Sequence, residues 1–165
     1  MTAVSNTSPL NYLLLIGEAR VLPALFGRLH VPEAVRDELL APEAAPLVRQ
    51  WASAPPDWVQ LHTVQGELAA SVLLHRGETD AILLARELRA DVLLMDELDG
   101  RAVARELRLS VIGTLGVLDL AAARGLLDFR ETWQRLRATS FRAAPRLVAE
   151  VLARDQARRA KDEAK

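Results

Sequence analysis

Asp91-Val92-Leu93-Leu94-Met95-Asp96 decides the fold: a short apolar run, too brief for a helix, framed by acids. A strand buried in a parallel sheet reads as such a run. Stretches of helical period lie on either side, at 78–89 and 98–108. Outward from this centre the alternation repeats. Ala3–Ser5, Arg28–Val31 and Leu109–Ile112 read as further short strands, with a weaker one at Trp58–His62. Helical segments are expected at 8–16, 32–40, 44–53, 66–75, 114–124 and 129–138. Alternation of this kind builds βαβ units and a parallel sheet, hence an α/β domain.

The ends of the segments agree. Pro9, Pro32 and Thr114 stand where helix starts favour proline or a hydroxyl cap, and Gly125 stands where a helix would stop. Pro42, Pro46, Pro55 and Pro56 punctuate a helical excursion after the second strand that is too short to be a domain. With 165 residues, half of them hydrophobic, one domain with a substantial core is expected over 1–140. Residues 141–165 read as an added helix fading into a charged, frayed tail.

Twenty-one basic and twenty-two acidic side chains leave a formal charge of -1. The global positive field of a DNA-coating protein is missing, so nucleic-acid contact would need a local patch. With no cysteine, disulfides and thiolate chemistry are excluded, which fits a reducing cytoplasm. The apolar residues Leu10 and Leu13–Ile16 are too few to cross a membrane and lack the basic leader of a signal peptide.

Most acids sit on surfaces; a few share a helix stripe with the apolar face. On the segment from Pro32, Val35 and Leu39 mark the buried face, and Glu38 falls on it while Glu33 and Asp37 point away. Glu78 lies one turn before Ile82 on the stripe Ala81, Ile82, Ala85, Leu88, whereas Asp80 faces elsewhere. Val103 and Leu107 continue back by fours to Asp99, and Asp96 follows the strand directly. Ligands of open parallel sheets bind beyond the carboxyl ends of the strands, and carboxylates gathered there repel unless a cation such as Mg²⁺ or Mn²⁺ relieves them. Each acid alone has a plainer explanation: Glu78 as a helix-dipole partner, Asp96 and Asp99 as caps, Glu38 as a side chain reaching water. Their shared inward direction is what favours a common pocket.

Five stretches, in order, resemble a prokaryotic branch of the PIN-domain superfamily, to which VapC-type toxins belong: Ser5-Asn6-Thr7-Ser8-Pro9-Leu10, Val31-Pro32-Glu33-Ala34-Val35, Gly77-Glu78 with Ala81-Ile82, Leu94-Met95-Asp96, and Val111-Ile112-Gly113-Thr114-Leu115-Gly116-Val117-Leu118. The resemblance implies a three-layer α/β/α fold with a central, mainly parallel sheet. It also implies metal-dependent endoribonuclease chemistry with Mg²⁺ or Mn²⁺, RNA as substrate, an antitoxin partner and a homodimer. Carried over, the family's acids fall on Asn6, Glu38, Glu78 and Asp96, with Asp99 an auxiliary ligand, and Thr7 or Ser8 would position a water or a phosphate oxygen. Asn6 is the departure, because its carbonyl coordinates without charge and cannot serve as a base. A second expectation is therefore a weakened PIN fold that binds RNA or protein without cutting.

Other side chains carry less. Arg101, Arg105 and Arg108 recur at helical spacing and would make a strip for RNA phosphates or simply a solvated face. Trp51, Trp58 and Trp133 read as core or interface anchors, and His30, His62 and His75 follow no metal-ligand pattern. A third expectation, a nucleotide- or flavin-binding domain of flavodoxin-like strand order, would leave Glu38, Glu78 and Asp96 far apart.

Overall fold

The computed structural model describes residues 1–70 and 72–165. Five strands run in parallel: β1 (Ala3–Ser5), β2 (Leu29–Pro32), β3 (Val59–His62), β4 (Val92–Leu94) and β5 (Val111–Ile112), in the order β3-β2-β1-β4-β5. The weakest sequence candidate, β3, is an edge strand beside β2, with Val31 opposite Leu61. β1 and β4 meet in the register Ala3–Val92, Val4–Leu93, Ser5–Leu94, all fully buried or nearly so. Complete burial explains why these strands read as unbroken apolar runs.

Helices flank the sheet as an α/β/α arrangement requires: α1 (Thr7–Leu15), α2 (Val21–Phe26), α3 (Glu33–Leu39), α4 (Pro46–Ser53), α5 (Arg76–Glu87) and α6 (Leu98–Glu106). Of these, α5 packs on β1, β2 and β4 and also meets α3 and α6. Its face supplies Ala81, Ile82, Leu84 and Ala85 to a core shared with Val4, Leu93, Met95, Val103 and Ala104. Both α5 and α6 stop on an arginine in the left-handed region, Arg89 at φ 49° and Arg108 at φ 61°. The residue after each returns its amide to the helix, Ala90 to Ala85 and Leu109 to Ala104, so the chain turns sharply into β4 and β5.

The strand order matters for function. In a sheet ordered 3-2-1-4-5, the connections leave β1 and β4 towards opposite sides, opening a crevice beyond their carboxyl ends. Flavodoxin-like sheets are ordered 2-1-3-4-5, so that expectation is set aside.

One sequence expectation needs correction, and one helix was not anticipated. Among the described residues, 66–75 holds no helix; residue 71 lies outside them. Val64, Leu68 and Leu74 reach the core from an irregular segment, while Leu73 is 98% exposed, so no amphipathic face is offered for a helix to bury. Conversely, α2 forms around Pro23, which sits in the first turn, where its missing N–H costs no helical bond.

Chain contacts define two compact units, Met1–Thr114 and Leu115–Lys165. The second contains most of α7 (Thr114–Ala123), then α8 (Phe129–Arg137) and α9 (Pro145–Glu163). α9 runs through Glu163, with Arg154 and Arg158 bound to Asp119 and Arg159 bound to Asp128 and Asp155.

Candidate metal centre

Four short segments converge at the crevice. β1 ends at Ser5, and Asn6 caps α1, its amide bonded to Leu94 O at 2.9 Å, so the loop after β1 is pinned against β4. α3 brings Glu38 on its last turn, α5 begins with His75 as cap and Glu78 in its first turn, and α6 begins with Glu97 as cap. Asn6, Thr7, Ser8, Glu38, His75, Glu78 and Glu97 line one cleft of about 290 Å³.

Neutral donors hold the carboxylates. Glu38 accepts from Gly77 N at 3.0 Å and from the Thr7 hydroxyl. Glu78 accepts from His75 N at 2.9 Å. Glu97 accepts from Asn6 Nδ2 at 2.9 Å and from the Ser8 hydroxyl. The starts of α1, α5 and α6 thus surround the negative charge with backbone dipoles of the right sign. Fit is close at two glycines: a Cβ on Gly77 would stand 2.6 Å from both Glu38 oxygens, and one on Gly100 would stand 2.9 Å from Glu78 Oε1.

Burial pushes the Glu78 carboxyl above the usual range; the His75 amide opposes this, and the charges of Glu97 and Glu38 add to the rise. This is the response of a buried acid facing like charges.

Asn6 is 1% exposed, and its Oδ1 has no hydrogen-bond partner. The cause lies in its other end. A carboxylate only accepts, so Glu97 must face the amide nitrogen, and the carbonyl oxygen is left over. A buried acceptor without a donor costs about 1–3 kcal/mol. A cation would answer that need.

Of the residues read from sequence, Asn6, Thr7, Ser8, Glu38 and Glu78 are brought together; Asp96 and Asp99 are not. Asp96 turns the other way, Oδ1 accepting from Thr114 N at 2.7 Å and Oδ2 from Thr114 Oγ1 at 2.6 Å. Burial raises the Asp96 carboxyl as well, with the Thr114 bonds opposing. Asp99 is exposed on the first turn of α6. Arg101 does not stand on a free basic strip: it is partly buried, and its Nη1 donates to Met95 O at 2.8 Å, while Arg105 is exposed.

Sequence reasoning missed Glu97 and His75 as lining residues. Helical periodicity is silent about both because they are caps, outside the helices they start. The usable signal for Glu97 was its place beside Asp96 in extended chain, where consecutive side chains diverge.

The donors are oxygens apart from the imidazole of His75, which suits Mg²⁺ or Mn²⁺ and not a thiolate-seeking metal. Among the described residues, no three His, Asp or Glu side chains already converge on one point as a ready metal site. Their oxygens are spread over the hydroxyl and amide donors above, and binding would redirect them. The orphaned Asn6 oxygen and three carboxylates that no Lys or Arg pairs in the cleft fit a hard cation.

A family model described as a PIN domain matches residues 2–157. No curated protein and no solved structure gives a significant match.

Proposed function

The chain belongs to the PIN-domain family, whose members are in general metal-dependent nucleases, and from that premise we propose that it is a divalent-metal-dependent endoribonuclease. Glu38, Glu78, Glu97 and Asn6 Oδ1 would hold Mg²⁺ or Mn²⁺, which supplies an activated water and charge stabilisation at the scissile phosphate. Glu97 would take the place that sequence reasoning gave to Asp96. Thr7 and Ser8, whose hydroxyls now bond Glu38 and Glu97, would orient those carboxylates or turn to a phosphate oxygen when the cation takes them over. The observation that carries this reading is the buried, partnerless Asn6 oxygen beside three carboxylates in one cleft.

A weakened, binding-only PIN module is favoured by one specific observation, the Asn6–Glu97 bond: a neutral amide stands where a further negative oxygen would strengthen the site. Support for a toxin role, an antitoxin partner and a homodimer is the family likeness alone.

The deciding measurement is cleavage of mixed single-stranded and hairpin RNA with Mn²⁺ or Mg²⁺, beside EDTA and Glu97→Gln. Cutting that EDTA abolishes and that Glu97→Gln reduces by roughly 100-fold or more is expected, the scale of losing one charge-stabilising group. Equal cutting by wild type and Glu97→Gln would remove the cleft from the reaction. RNA binding without cutting under every metal would establish the binding module.

A further inference from the structure

Two consecutive acids, Asp96 and Glu97, have divided their work. We propose that Asp96, clamped by Thr114, is a positioning residue that aims Glu97 into the cleft, and is not itself a ligand. The proposal rests on the reading of the cleft as a metal site.

The argument begins with backbone geometry. Glu97 is extended, with φ −65° and ψ 129°, close to the polyproline conformation, and its side chain diverges from that of Asp96: Asp96 bonds Thr114 while Glu97 bonds Asn6 and Ser8. Whatever fixes the direction of Asp96 therefore fixes that of Glu97. Asp96 is fixed by two hydrogen bonds to one residue, Thr114 N at 2.7 Å and Thr114 Oγ1 at 2.6 Å, and Thr114 is itself fully buried.

The turn is tied on both flanks. Met95 N donates to Ile112 O at 2.9 Å, extending the β4–β5 ladder by one residue, and Arg101 Nη1 returns to Met95 O at 2.8 Å. Arg101 N also donates to Glu97 O at 2.9 Å. Gly113 completes the fit, for a Cβ there would lie 2.6 Å from Asp96 Oδ1 and 3.1 Å from Arg101 Nη1. A side chain at 113 would have to displace the Asp96 carboxylate or the Arg101 guanidinium. On the far side, Glu97 arrives at Asn6 and Ser8. Without the Thr114 clamp, Asp96 would seek water and the turn could rotate, taking Glu97 out of register with Asn6.

Outer groups that orient a metal ligand matter for affinity, and losing one typically costs 10- to 100-fold. A ligand and a positioning residue respond differently to an amide. An asparagine at 96 still accepts from Thr114 N and meets Thr114 Oγ1 with a donor, so the clamp survives loss of charge. A ligand would not tolerate that loss.

The test is Mn²⁺ affinity, by titration calorimetry and by the Mn²⁺ paramagnetic resonance signal, on the full chain, with melting temperature recorded for each variant. Asp96→Ala should weaken Mn²⁺ binding roughly tenfold. Asp96→Asn should remain within about twofold of wild type, because its hydrogen bonds persist. Thr114→Val, which keeps the amide and removes the hydroxyl, should fall between. In the Glu97→Gln background, Asp96→Ala should cost nothing more, since a residue acting through Glu97 has nothing left to position. Loss in Asp96→Asn equal to that in Glu97→Gln would make Asp96 a ligand and overturn the proposal. So would a lowered melting point in Asp96→Ala and Thr114→Val with unchanged Mn²⁺ affinity, the mark of a mere helix cap. If wild type takes up no Mn²⁺, the metal reading of the cleft falls and this inference with it; uptake that ignores Asp96 overturns the inference alone.

Discussion

In the unit from Leu115 to Lys165, each of Asp119, Asp128 and Asp155 faces a guanidinium: Arg158 and Arg154 reach Asp119 at 2.7 and 2.8 Å, and Arg159 reaches Asp128 at 2.7 Å and Asp155 at 2.9 Å. In the cleft of the other unit, Glu38, Glu78 and Glu97 face hydroxyls, backbone amides and one side-chain amide. Neutralised acids tie helices together and have no further appetite for charge. Acids held only by neutral donors are fixed in place while their charge stays available. The first arrangement is architecture; the second is what a cation site needs before the cation arrives.

If that contrast is right, losing an acid has opposite consequences in the two units. Asp155 is 4% exposed and serves Arg158 and Arg159 together. Asp155→Asn should destabilise by about 1–2 kcal/mol, below the 3–5 of fully buried pairs because its arginines are partly in water. Mn²⁺ affinity should be untouched. Chemical denaturation with and without Mn²⁺ measures both, and a metal-dependent effect of Asp155→Asn would erase the distinction between the units.

Asn6→Asp sharpens the comparison from the other side. It puts a carboxylate oxygen where Asn6 Nδ2 now donates to Glu97 at 2.9 Å. Two carboxylates at that distance must share a proton or repel, costing roughly 1 kcal/mol in the metal-free protein, about the worth of one pKa unit. With Mn²⁺ the sign reverses, because the added charge faces the cation. The expected result is a lower melting point without metal and tighter Mn²⁺ uptake than wild type. A melting point unchanged in both conditions would mean that the Asn6 amide does not govern the charge balance of the cleft.

Much of this was legible in the sequence, for physical reasons. The strands at 3–5 and 91–95 were readable because complete burial leaves no polar face to interrupt the run. Glu38 and Glu78 were readable because each lies inside a helix, where the 3.6-residue period reports direction. The same period misled at α6: counting back from Leu107 and Val103 reached Asp99, but the helix starts only at Leu98, and Asp99 stands exposed on its first turn. Glu97 precedes the helix, so its direction depends on what Asp96 bonds, and Thr114 is eighteen residues away along the chain. A partner at that range is set by the β4–β5 pairing, which no local pattern encodes. Segment 66–75 failed for a related reason: Leu68 and Leu74 reach the core from irregular chain while Leu73 faces water, a choice made by tertiary packing and not by local period.

The smallest expected effect concerns pH, and there the two kinds of acid should again diverge in sign. Asp128 is held below its usual value of about 3.8 by the Glu131 amide first and Arg159 second. An acid lowered on folding contributes stability above its unfolded value and loses it as pH falls through its folded value, so this contribution fades in acid. Glu78 is raised above its usual value of about 4.5, chiefly by burial. Its contribution is complete below about 4.5 and is lost as pH rises through the raised value, because the folded site then holds a buried charge. Urea denaturation of wild type and Glu78→Gln from pH 4 to 7 isolates that group, since Asp96, raised in the same direction, is common to both. The stability of Glu78→Gln relative to wild type should climb with pH, and Mg²⁺ should cancel the gain by stabilising only the chain that can bind it. Asp128→Asn should show the reverse, a deficit at neutral pH that closes in acid. A flat difference for Glu78→Gln would place the strain of the cleft on some other group, and with it the reason a cation should enter.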